Sequence, residues 1–89
     1  MDENGMNMLS GIILDSSIEV HKSLGPGLLE SVYEICLCKE LDLRKINYER
    51  QVLIPIVYKG EKVNSEYKID LIVEDAIIVE LKSVEVLHP

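Results

Sequence analysis

Two short apolar segments near the carboxyl end are each broken by charge, and the pairing between them constrains the fold more than any other feature. Asp70 interrupts Tyr67-Lys68-Ile69-Asp70-Leu71-Ile72-Val73, and Glu80 and Lys82 interrupt Ala76-Ile77-Ile78-Val79-Glu80-Leu81-Lys82. This alternation has the twofold period of β-strands. Charges are rare inside a small sheet unless something compensates them.

The register of the hairpin decides where those charges meet. If only Glu74 and Asp75 form the loop, Val73 pairs with Ala76, and Asp70 and Glu80 fall on opposite faces, because a one-residue slip inverts the side-chain pattern. If Ala76 joins the loop, Val73 pairs with Ile77 and Asp70 lies opposite Glu80. The second register makes one face uniformly apolar, with Ile69, Leu71 and Val73 against Ile77, Val79 and Leu81. Its other face collects Lys68, Asp70, Glu80 and Lys82, with Ile72 and Ile78 at the loop end. Hydrophobic segregation selects this register. Directly opposed residues have Cβ atoms about 4.5–5.5 Å apart, where two unpaired carboxylates repel. A divalent cation, which prefers hard oxygen ligands, relieves the repulsion. A structural ion pair with Lys68 or Lys82 is the alternative.

Upstream, the apolar period is helical. Leu9, Ile12, Ile13, Val20 and Leu24 predict a helix over Ser10 to Ser23, with Ser16 and Ser17 at positions that further apolar groups would suit. Gly25-Pro26-Gly27 ends it. A second helix is predicted over Leu28 to Leu43, with a buried stripe of Leu29, Val32, Cys36, Leu37, Glu40 and Leu43, and with Glu30 and Tyr33 beside that stripe. Arg44 and Lys45 suit its carboxyl end. The period then becomes twofold at Gln51 to Tyr58, where Pro55 calls for an edge strand or a bulge. Lys59 to Lys62 connects to a strand near Glu66 to Val73, and the third strand runs from Ile77 to about Lys82. The fold class is α+β: two N-terminal helices packed on an antiparallel three-stranded sheet. Residues 1–8 are expected to be a flexible segment, and residues 9–89 one domain.

Composition narrows the function. The chain has 89 residues and a formal charge of −7, which disfavours passive coating of a polyanion, since each phosphate contact needs a positive partner. It counts less against a nuclease whose metal cancels local carboxylate charge. Cys36 and Cys38 are two apart in a predicted helix and do not face each other, so free thiols are expected. With short apolar runs and no basic, apolar leader, the expected location is cytoplasmic. Asp70 and Glu80 would hold magnesium or manganese against a phosphate oxygen, and Lys82, on the same face as Glu80, would position water or neutralise the phosphate.

The segment Gly27-Leu28-Leu29-Glu30-Ser31-Val32-Tyr33 reads GxxExxY, and the chain resembles the bacterial and archaeal GxxExxY protein family of the PD-(D/E)xK nuclease-like superfamily. Further resembling stretches are Val20 to Gly27, Gln51 to Gly60, Asp70 to Val73, and Ile78 to Lys82. The resemblance implies the N-terminal part of a restriction-endonuclease-like core. It implies that Glu30 approaches the strand acids, that Asp70 is the metal-binding aspartate, and that Glu80 and Lys82 are the ExK pair. Tyr33 matches the family tyrosine, with a packing or orienting role. The implied activity is magnesium- or manganese-dependent phosphodiester hydrolysis, with DNA favoured over RNA. Family members usually continue past the ExK strand into a helix and more strands, whereas this sequence ends at Leu87-His88-Pro89. Residues 9–89 are thus expected to be a partial nuclease-like domain, whose exposed edge could recruit a second copy as a homodimer. A noncatalytic nuclease-like interaction or regulatory module is the second function class.

Overall fold

The computed structural model describes residues 1–81 and has the element order α1 (Glu3–Leu24), α2 (Glu30–Leu43), β1 (Tyr48–Tyr58), β2 (Glu61–Val73) and β3 (Ile77–Val79). The two helices and the antiparallel sheet, ordered β1-β2-β3, are the expected α+β arrangement. Helix α1 begins at Glu3 rather than Ser10, because Asp2 caps it by accepting the Gly5 N–H at 2.7 Å. It ends at Gly25, whose φ of 73° is available to glycine without a Cβ penalty.

Leu9, Ile13, Ser16 and Val20 line the buried face of α1. Ser16 is fully buried yet satisfied, donating its hydroxyl to the Ile12 carbonyl at 2.7 Å. Helix α2 buries Glu34, Leu37, Cys38 and Leu41, a stripe displaced from the expected one. Leu29 is 74% exposed because it precedes the first helical turn, and Leu43 is 66% exposed at the last. Leu71 and Val73 of β2 join these helical side chains in one core, which Tyr33, Tyr48, Ile77, Val79 and Leu81 flank. Ile69 is equally buried but lies outside that cluster. Cys36 and Cys38 are free thiols, as expected. No helix among the described residues is long and apolar enough to cross a membrane.

The decisive hairpin adopts the register that hydrophobic segregation selects. Val73 pairs with Ile77, Ile72 with Ile78 and Leu71 with Val79, while Ala76 belongs to the loop. Glu74 and Asp75 both take left-handed φ values of 52° there. The Glu74 carboxylate accepts the Asn47 N–H at 2.8 Å, and its own N–H donates to the Asn47 carbonyl at 2.9 Å, fastening the turn to the entry of β1. Strand β3 ends at Val79, earlier than expected, and Lys82 lies outside the described residues. The first hairpin is tighter than the sequence suggests: Tyr58 pairs with Glu61, so Lys59 and Gly60 alone make the turn, both at positive φ. Pro55 lies on the edge strand, and the β1–β2 register shifts between it and Val57. Both placements accommodate its missing N–H.

Tyr48 anchors β1 to the end of α2 by donating its hydroxyl to Asp42 at 3.0 Å. Desolvation first, then the Asp42 carboxylate, push its phenol pKa up to about 12. A raised folded-state pKa means that this contribution to stability is fully present below about pH 10 and is lost as pH rises towards 12. In Tyr48→Phe, absorbance titration is expected to lose the phenolate transition near pH 12. A transition that persists there would reassign it.

Candidate active site

Each of the described acids has its own surroundings. Glu30 starts α2 and is exposed. It shares with half-buried Asp70 a cleft of about 330 Å³, lined also by Ser31, Glu34, Arg50, Gln51, Lys68 and Leu81. Asp70 Oδ2 accepts the Leu81 N–H at 2.8 Å, so the chain leaving β3 is tied to the aspartate. Glu80 is exposed, and its carboxylate accepts the Tyr67 hydroxyl at 3.2 Å. That carboxylate raises the Tyr67 phenol pKa, first through its charge and then through the hydrogen bond. Glu30 and Asp70 therefore meet in one cleft, whereas Glu80 is engaged by Tyr67. Among the described residues no group of three or more His, Cys, Asp or Glu is placed to hold a metal ion.

Glu34 is the acid that periodicity alone misses. It is 5% exposed, one helical turn after Glu30 on the same face. Its Oε2 accepts from Arg50 Nη2 at 2.6 Å and Nε at 3.1 Å, and its Oε1 accepts from Gln51 Nε2 at 2.7 Å. Burial of a carboxylate demands such compensation. The hydrogen bond to Glu34, ahead of its charge, pushes the Arg50 pKa upward. The spacing of Glu34 from Glu30 was the available sequence signal, while the partners sixteen and seventeen residues away were not predictable from local pattern.

The GxxExxY segment acquires a physical account. Gly27 has φ 89°, a left-handed conformation that suits glycine at the entry to α2. Tyr33 donates its hydroxyl to the Gly25 carbonyl, and its ring lies 4.8 Å from that of His21 with a tilt of 32°. Tyr33 thus ties the interhelical turn to α2 and packs on α1, orienting the helix that carries Glu30. Tyr33→Phe keeps the ring packing and loses the hydroxyl. The expected destabilisation is about 1 kcal/mol, read as a lower urea midpoint; an unchanged midpoint would remove the hydroxyl from this role.

An antiparallel sheet beside two helices, with a helix glutamate and a strand aspartate in one cleft, is a nuclease-like arrangement. The family model described as PD-(D/E)XK nuclease superfamily matches residues 7–89. The chain belongs to that superfamily. No curated protein and no solved structure matches it.

Proposed function

We propose that this chain is a metal-dependent nuclease of the GxxExxY type, hydrolysing phosphodiester bonds with DNA as the favoured substrate. The convergence of Glu30 and Asp70 on one cleft, within a chain of the nuclease superfamily, carries this reading. The donor set fits a hard cation in its chemistry: magnesium is commonly held by one or two carboxylates, with water and substrate phosphate completing its shell. Asp70 and Glu30 would hold magnesium or manganese, and Glu80 would join them on leaving Tyr67. When bound, the ion supplies Lewis-acid polarisation of the phosphate and a more acidic water.

The side chains have separate tasks. Asp70 combines a cation-binding charge with the hydrogen bond that holds the chain after β3. Glu30 brings a carboxylate from the start of α2 to the same cleft. Lys82, two residues beyond Glu80 in sequence, supplies a proposed positive charge for the phosphate or attacking water. The test is cleavage of plasmid and linear DNA over a magnesium and manganese titration. Metal-dependent product formation that disappears in Asp70→Asn supports the assignment. Metal binding without cleavage, in a wild-type protein that stays folded, would favour a noncatalytic role.

A further inference from the structure

We infer that Arg50 is a phosphate-contacting residue of this cleft and that Glu34 and Gln51 fix its position; the inference deepens the nuclease reading and rests on it. Successive strand residues normally point to opposite faces. Arg50 and Gln51 nevertheless both reach the Glu34 carboxylate, Arg50 at 2.6 and 3.1 Å and Gln51 at 2.7 Å. The backbone makes this possible by placing Gln51 at φ 52°, in the left-handed region inside β1. A non-glycine residue in that region stores strain, and such strain clusters at functional sites.

The clamp leaves part of the guanidinium available. Among the described residues Glu34 occupies Nε and one Nη2 hydrogen, leaving the Nη1 pair and the second Nη2 hydrogen to serve another acceptor. The Arg50 side chain is 43% exposed and lines the cleft with Asp70, while Glu34 is buried beneath it. A merely neutralising arginine would satisfy the buried acid equally well. The added strain at Gln51 and the open guanidinium edge in the cleft that Asp70 also lines are what point to a ligand. A planar guanidinium fits phosphate oxygens, and fixing it beforehand reduces the rotamer freedom lost on binding. The cleft contains Glu30, Glu34 and Asp70 against Arg50 and Lys68, so an approaching phosphodiester meets net negative charge except at the basic side chains. Arg50, held in place by Glu34, is the preorganised member of that pair.

The probes are inorganic phosphate and diethyl phosphate, followed through the Arg50 Nε–H resonance in the full chain. Saturable shifts at Arg50 are expected with both. Glu34→Gln preserves an oxygen acceptor and removes one negative charge, so it is expected to retain the response and bind phosphate several-fold more tightly. Glu34→Met combined with Arg50→Met avoids leaving a lone buried carboxylate and, titrated with the same probes by calorimetry alongside the wild type, is expected to lose at least about tenfold in phosphate affinity. Shifts confined to lysines, or unchanged affinity in the folded double variant, would overturn the inference. Failure of the nuclease reading has a different signature: Arg50 responds to phosphate, yet the wild-type protein shows no metal-dependent cleavage. Efficient cleavage with an Arg50 resonance that ignores phosphate would instead reject the phosphate contact and leave nuclease activity standing.

Discussion

Asp70→Asn is expected to lower magnesium-dependent cleavage by on the order of a thousandfold, the scale of losing a preorganised electrostatic group at a reacting centre. Asparagine is nearly isosteric, and its side-chain oxygen can still accept the Leu81 N–H that Asp70 Oδ2 accepts at 2.8 Å. The substitution therefore retains the tie to the chain after β3 while removing the charge that attracts a hard cation. Circular dichroism and the urea midpoint should remain close to those of the wild type. Metal affinity, followed by calorimetry with manganese, should fall with activity. A wild-type cleavage rate in Asp70→Asn would remove Asp70 from the proposed chemistry. Equal loss of folding and activity would assign the aspartate to the Leu81 contact instead.

The strand register was legible because every alternative inverts the placement of several apolar side chains. Val73 pairs with Ile77, so a single loop residue, Ala76, separates an apolar face from one of mixed polarity. Pro55 was equally informative, since a missing N–H restricts it wherever the chain places it. Helix α2 was less legible: its buried stripe includes Glu34, whose compensation comes from Arg50 and Gln51 on a later strand. Local periodicity draws Glu40 into the stripe and leaves Glu34 out, because it cannot register a tertiary partner. The same limit explains Glu80. Strand parity sets Glu80 one step past the Leu71–Val79 pair, and its carboxylate accepts the Tyr67 hydroxyl, a partner thirteen residues away that parity does not name. Glu30 and Asp70, by contrast, reach one cleft. The superfamily was readable from the combined motifs because residues 7–89 carry the match. The finer assignment of each acid depends on side-chain directions that the motifs do not contain.

Leu71→Ala is expected to destabilise the protein by about 2–5 kcal/mol, the range for truncating a large buried aliphatic side chain. Leu71 is 0% exposed and belongs to the core formed with both helices. It also pairs with Arg50 on β1 and Val79 on β3, so its position is fixed from both sides of β2. A small domain has limited stability to lose, and a cavity here removes helix–sheet contact beside Asp70. Ile78→Ala is the matched control, because Ile78 is 57% exposed in the same hairpin. Urea unfolding should show a large fall in midpoint for Leu71→Ala and a much smaller change for Ile78→Ala. Comparable losses would mean that Ile78 is covered by an interaction outside the described core. If Leu71→Ala remains folded at low temperature, its cleavage rate distinguishes packing from chemistry. Activity that recovers on cooling assigns the defect to the fold, whereas a persistent loss with native stability shows that Leu71 also holds Asp70 in its working position.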